Sequence, residues 1–303
     1  MDEERDVTES VRGTGTTTMD PILCRRVEQR CVPLWLTTVF APDVGAAFDA
    51  LGVAPAARYF ATRVAPLGPV HAPVVIATFF NFSPSVLVGA VPEVWEQFTP
   101  QQLLDAQLEG VHHKLTRALA PLDDGIVADA AALLRRAAEA ACEHPEGRPL
   151  FAGYASLPWP DDPYLQLWHA HYLLREFRGD GHISILSSEG LTGIEALQLH
   201  IAFVPAVGPV FRATRGWTDD QWDASLDRLR ARGWITSDPE LTLTAAGHGY
   251  REEIEARTDT LNLPAYEAIG TDGCERLLDR CATISAALVA DGGNAFASLI
   301  PDD

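Results

Sequence analysis

Residues 210–244, VFRATRGWTDDQWDASLDRLRARGWITSDPELTLT, decide the fold. The first six read as a short helix and Gly216-Trp217 as a turn. Thr218-Asp219-Asp220-Gln221 then has the spacing of a capping box, in which a hydroxyl and an amide three residues apart satisfy each other's backbone donors, so a helix opens there. Trp222, Leu226 and Leu229 form its apolar stripe, and Gly233 supplies a left-handed stop. Trp234-Ile235-Thr236 and Leu241-Thr242-Leu243-Thr244 read as two short strands around the turn Ser237-Asp238-Pro239-Glu240. Helix, turn, helix and hairpin in this order make a winged helix.

Upstream the pattern is helical. Ser83-Pro84 and Thr99-Pro100-Gln101-Gln102 are helix starts with proline in the first turn. The second opens a helix to about Leu119, whose stripe Leu104, Leu108, Val111, Leu115 and Leu119 faces a core. Another helix is expected over 127–142, and Pro92 interrupts the one that Ser83 starts. The apolar run VPLWLTTVF, within 24–40, fits a strand or a helix equally. The expected fold is mainly α, with a helical N-terminal half followed by a degenerate winged helix-turn-helix module. Its divisions are a disordered tail over 1–22, a helical domain over 23–150, and a second part over 151–303. That second part holds a central polar helix pair, the winged module and a C-terminal helix over 273–290 that would support a homodimer.

Composition limits the functions on offer. With 42 acidic against 23 basic residues the formal charge is −19, so most of the surface repels phosphate, and nucleic acid would need a local basic patch. The first twenty residues lack the apolar core of a signal peptide, and no apolar run reaches the roughly 18 residues of a membrane span, so the expected location is cytoplasmic. Five cysteines without CxxC spacing fit reduced thiols.

The central segment 165–200, LQLWHAHYLLREFRGDGHISILSSEGLTGIEALQLH, is unusual. It sets four histidines, two arginines and three glutamates in an otherwise apolar helical pattern. Asp162-Pro163 caps a helix expected over 164–178, ending at Gly179. Gly179-Asp180-Gly181 is then a turn that brings His182 to the helix end. A second helix over 191–203 carries Glu195 and His200. On the first helix His171, Arg175 and Arg178 share one face, and His169, Tyr172, Leu173 and Glu176 another.

The pieces LLREFRGDGH, ATRGW, LRARGW and LTAAGHGYREEIEARTDTL, with RYFATRVAPLGPV and TFFNFSP, carry a family resemblance over about 54–268. The chain resembles the SalK-type helix-turn-helix proteins of actinobacteria, distant relatives of the MarR regulators. The resemblance implies a winged-helix fold and an association with specialised metabolism. It also favours His169, in the LWHA piece, over His171 as a site residue.

A winged reader presents the early turns of its second helix to base edges and basic wing residues to phosphates. Here those turns carry Asp219, Asp220 and Asp223, and the wing tip carries Asp238 and Glu240. DNA binding is therefore not expected. Two arginines one turn apart can hold an anion by forked hydrogen bonds, and a neighbouring histidine can move a proton near neutrality. The expected function is a small-molecule-binding protein of specialised metabolism, with the option of cofactor-free acid/base catalysis on an anionic substrate. In that reading His182, His200 and Glu195 are catalytic, and His169, Arg175, Arg178 and Asn81 bind the ligand. No metal or other cofactor is expected, because His169 and His171 point to different faces and no nucleotide motif occurs. Two alternatives stand beside it. One is a MarR-like regulator that binds DNA and a ligand; the other makes Arg175, Glu176 and Arg178 a structural ion-pair network. Glu255, Thr258 and Asp259 are expected on a solvated helix face.

Overall fold

The computed structural model describes residues 19–91, 93–238 and 240–292. The first eighteen residues of the expected tail, Pro92 and Pro239 lie outside the described residues. Asp20 ends the tail earlier than expected, because its carboxylate accepts the Ile22 N–H at 2.9 Å and starts a helix at Pro21. This α1 (Pro21–Val39) settles the ambiguous run as helix. Cys24, Val27, Cys31 and Leu34 recur every three or four residues and are all buried, a spacing no strand provides.

Short helices follow: α2 (Pro42–Leu51), α3 (Pro55–Val64), α4 (Ala72–Thr78), α5 (Pro84–Ala90) and α6 (Val94–Gln97). Ser83 precedes α5 as expected, although its hydroxyl bonds Ser85 instead of capping the backbone. The Thr99 capping box opens α7 (Pro100–Leu119), and Asp123 caps α8 (Asp124–Ala141). Of the predicted α7 stripe, Leu104, Val111, Leu115 and Leu119 are buried and Leu108 packs at the core's edge. After α9 (Pro149–Ala155) comes the longest helix, α10 (Pro163–Ser188), which packs on α8, α9, α14 and α1 at the centre of the main core.

That helix corrects the expected turn at Gly179-Asp180-Gly181: α10 runs straight through it. A glycine in a helix interior costs up to about 1 kcal/mol relative to alanine, but here tertiary contacts decide. Asp180 is buried and accepts the Phe151 N–H at 3.0 Å, which satisfies a donor in the first turn of α9. The Arg148 guanidinium lies beside Gly181 and donates to the Phe177 carbonyl at 3.2 Å. His182 therefore lies within the helix, on the same face as His171, Arg175 and Arg178.

Thr192 and Glu195 form a capping box at the start of α11 (Gly193–Phe203), which leads through α12 (Gly208–Thr214) to α13 (Asp219–Ala231). The Thr218 box and the positive φ of Gly233 bound α13 as expected. The hairpin is reduced to a bridge between Ile235 and Leu243, flanked by bonds from Thr236 N–H to the Thr242 carbonyl and from Thr244 N–H to the Trp234 carbonyl, each 2.9 Å. Ring stacking, with Trp234 on Tyr250 at 3.9 Å, holds this wing against α14 (Ala245–Glu267). The fold is mainly α. The last helix, α15 (Gly270–Ala290), buries its apolar face on α1 and α8 of the same chain. Among the described residues no helix is long and apolar enough to cross a membrane.

Candidate functional site

A cavity of about 760 Å³ opens where α10, α11, α12 and α14 face α1, α3 and the loop that carries Phe79 to Phe82. It lies within the range of roughly 300–1,000 Å³ usual for small-molecule sites. One wall is aromatic. Phe60 meets Phe79 and Phe82 edge to face at 5.2 and 4.9 Å, and Tyr59 packs on all three. The opposite wall is built from charged residues of α10 and α14.

The α10 face supplies His171, Arg175, Arg178 and His182 to the cavity, as four helical steps dictate. Arg178 donates to Glu255 at 2.9 Å and Asp259 at 2.8 Å, and Arg25 pairs with Asp259 from α1. Arg251 pairs with Glu255 at 2.5 Å. Burial works against the Glu255 carboxylate, yet Arg251 and Arg178 outweigh it and hold its pKa down to about 2. Arg175 donates to Glu176 at 3.0 Å and lies over the Trp35 ring at 3.8 Å. Arg63 grips both oxygens of Glu176. Of Glu255, Thr258 and Asp259, expected on a solvated face, Glu255 lines the cavity, and Thr258 and Asp259 are buried behind its wall. Their burial comes from the partners that α10 and α1 bring to them.

The histidines are neutral. Burial, chiefly, pushes His182 down to about 3, His171 to about 3 and His200 to about 4, with nearby arginines acting in the same direction. His182 Nδ1 lies 2.8 Å from the Thr258 hydroxyl, which donates its own proton to the Ile254 carbonyl. Nδ1 must therefore be the donor, leaving Nε2 an acceptor. His171 is 2% exposed, and among the described residues its Nε2 has no hydrogen-bond partner. His200 stacks on Phe211 at 5.8 Å.

Of the expected site residues, Arg175, Arg178, His182, His200 and Asn81 line the cavity. Two do not. His169 points to the other side of α10, against Trp159 at 4.8 Å, because an offset of two residues from His171 turns it to another face. Glu195 is occupied by its cap, accepting from Thr192 N–H at 2.8 Å, and by Arg228 at 2.9 Å. These bonds offset its burial and hold its carboxyl below the ordinary range, so it orients no histidine. His171, set aside by the resemblance, belongs to the site instead.

Arg215 was not foreseen. It ends α12, and its guanidinium lies between the rings of Phe82 at 4.2 Å and Phe211 at 4.1 Å. Its carbonyl accepts the Ser83 N–H at 2.8 Å, and the Trp217 indole N–H donates to the Asn81 carbonyl at 3.0 Å. The turn between α12 and α13 is thereby fixed to the cavity wall. The ATRGW and TFFNFSP pieces contain both partners, but 132 positions separate Arg215 from Ser83 and no local pattern joins them.

The surface of the helix-turn-helix has different electrostatics. Arg212 pairs with Asp219, Arg228 with Glu195, and Arg230 with Asp227, while Arg232 lies over Trp234. These four arginines are engaged within the protein, and Asp220 and Asp223 stay exposed on α13. Among the described residues no group of three His, Cys, Asp or Glu is placed to hold a metal ion.

In comparison with known proteins, the sequence model of a helix-turn-helix family matches residues 24–295. No curated protein and no solved structure matches the chain.

Proposed function

Because the chain belongs to a helix-turn-helix family, whose fold is of a DNA-binding or regulatory type, we propose that it has kept that fold as a scaffold and acts as a small-molecule-binding protein. Within the family we assign it to the SalK-type proteins of actinobacteria, and we read it as a cytoplasmic protein of specialised metabolism. The observation that carries the binding reading is the cavity of about 760 Å³, lined by rings on one side and charged groups on the other. Its lining includes a buried His171 Nε2, Arg63 Nε, Arg215 Nε and Arg251 Nη1 that have no hydrogen-bond partner among the described residues. Buried donors left unmatched cost about 1–3 kcal/mol each, which a ligand's oxygens would recover.

The lining favours an anion, since its six arginines, Arg25, Arg63, Arg175, Arg178, Arg215 and Arg251, outnumber its four carboxyl groups, Glu28, Glu176, Asp180 and Glu255. Binding is favoured over acid/base catalysis by His182 or His200. Desolvation, chiefly, pushes His182 down to about 3 and His200 to about 4, which disfavours the protonated forms that acid catalysis near pH 7 requires.

A second reading, a regulator that binds DNA and the same ligand, draws on the family alone. The engaged arginines and exposed carboxylates of α13 oppose it, because phosphate contacts need free cations. One experiment separates the two. The full chain is melted with a panel of small organic acids, phosphates and neutral compounds, and its ability to retard short mixed-sequence duplexes is measured at low salt. The binding reading expects an organic anion to raise Tm by several degrees and no retardation. A flat panel together with retarded DNA would overturn it in favour of the regulator.

A further inference from the structure

We propose that Arg215 is the anion anchor of the cavity, and that the site takes a flat aromatic monocarboxylate whose ring lies among Phe82, Phe211 and Tyr59. The proposal rests on the cavity being a ligand site and narrows the ligand to one chemical class.

Arg25, Arg63, Arg175, Arg178 and Arg251 each reach a carboxylate. Among the described residues Arg215 reaches none. Its side chain makes one hydrogen bond, from Nη1 to the Thr214 hydroxyl at 2.7 Å, and Nε is buried without a partner. Burial, chiefly, lowers the basicity of this guanidinium, and the nearby Arg63 adds to the effect. The residue as a whole is half-buried, so part of its hydration is lost with no paired charge in return, and an incoming carboxylate offsets that loss.

Geometry selects the shape. Phe82 and Phe211 cover the Arg215 guanidinium. Ring contact leaves the planar edge of an arginine as the place for new hydrogen bonds, and that edge matches the fork of a carboxylate. Beyond it the wall consists of ring edges and faces, with Tyr59, Phe60, Phe79 and Phe82 in mutual contact and His200 stacked on Phe211. Such a wall favours a flat ring through stacked and edge-to-face contacts. A single unpaired guanidinium matches a single negative charge. A phosphate dianion would need a second free cation, and the remaining arginines are held by Glu176, Glu255 and Asp259.

The anchor is also preorganised. The Arg215 carbonyl and the Trp217 indole bind the segment from Asn81 to Ser83, and Gly216 packs so closely that a Cβ would stand 2.1 Å from Val86. The guanidinium is thus held before ligand arrives, which lowers the entropy cost of binding. The same contacts put the anchor in the turn of the helix-turn-helix itself.

Calorimetric titration of the full chain with naphthoate, its neutral analogue naphthylmethanol and its cationic analogue naphthylmethylamine tests the proposal. Wild type should bind naphthoate and prefer it to both analogues. Arg215→Gln should lose roughly ten- to a hundredfold in naphthoate affinity, Arg215→Lys less, and neither variant should change naphthylmethanol binding. Equal affinity for naphthoate and naphthylmethanol in wild type, a comparison that needs no variant, would overturn the anion anchor. So would unchanged naphthoate binding in a folded Arg215→Gln protein. Absence of naphthoate binding while other organic anions of the melting panel still raise Tm would overturn the aromatic class and leave the cavity reading standing. If the whole panel is also flat, both fall.

Discussion

Arg63 and Glu176, 113 positions apart, are joined by a bifurcated contact, with the guanidinium Nη2 2.7 and 2.8 Å from the two carboxylate oxygens. Both side chains are nearly inaccessible, at 10% and 3% exposed. The pair ties α3, which carries part of the aromatic wall, to α10, which carries the polar one.

Removing one partner leaves a buried charge alone. Glu176→Gln should therefore destabilise the protein by about 3–5 kcal/mol, whereas the paired change Arg63→Met with Glu176→Leu should recover much of that loss. Urea unfolding of the two proteins checks this, and equal stability of Glu176→Gln and wild type would contradict it.

The pH dependence of stability follows from four histidines, His169 and His171 buried in the core and His182 and His200 half-buried at the cavity. Burial depresses His169 to about 4, His171 to about 3, His182 to about 3 and His200 to about 4, from 6.5. Between those values the unfolded chain holds protons that the folded one refuses. The stabilisation is complete above pH 6.5 and is lost as pH falls towards 3, at most about 1.4 kcal/mol per unit for each group. Asp180, raised to about 6 mainly by burial, acts in the opposite direction as pH rises from about 4 to 6, but it is outnumbered. Unfolding free energy should thus fall between pH 7 and 5, and replacing His171 by Phe should flatten the slope. A slope unchanged by that replacement would contradict the assignment.

How much of this was legible beforehand varied with the range of the signal. The caps at Thr99, Asp162 and Thr218 are local, a side chain and a backbone donor a few residues apart, and the sequence displays them directly. The α10 face of His171, Arg175 and Arg178 is equally local, because it follows from helical pitch. Continuation of α10 through Gly179-Asp180-Gly181 was hidden, since it depends on Phe151 and Arg148 from elsewhere in the chain. Burial of Glu255 and Asp259 was hidden for the same reason, as was the sandwich around Arg215. Pairings across a hundred residues leave no periodic trace.

Gly193 shows how tightly the cavity loop is seated. A Cβ there would stand 1.8 Å from the Phe80 carbonyl oxygen, a backbone atom that cannot move aside cheaply. Gly193→Ala should cost about 1–3 kcal/mol by overpacking. Gly249→Ala, in the open on α14, should add about 0.5–1 kcal/mol through helix propensity. Thermal melts of the two should move in opposite directions, and movement in the same direction would refute the packing argument.

Gly179 gives the most direct test of the cavity as a ligand site. It lines the cavity from the interior of α10, and an added Cβ would meet only Glu176 Oε2, at 3.7 Å. A leucine there gains helix propensity and grows into the empty volume. The deciding measurement is the naphthoate-induced rise in Tm for wild type and Gly179→Leu, side by side. Gly179→Leu should melt, without ligand, at or above the wild-type temperature and show no rise on adding naphthoate, against a rise of several degrees in wild type. The same rise in both proteins would contradict it.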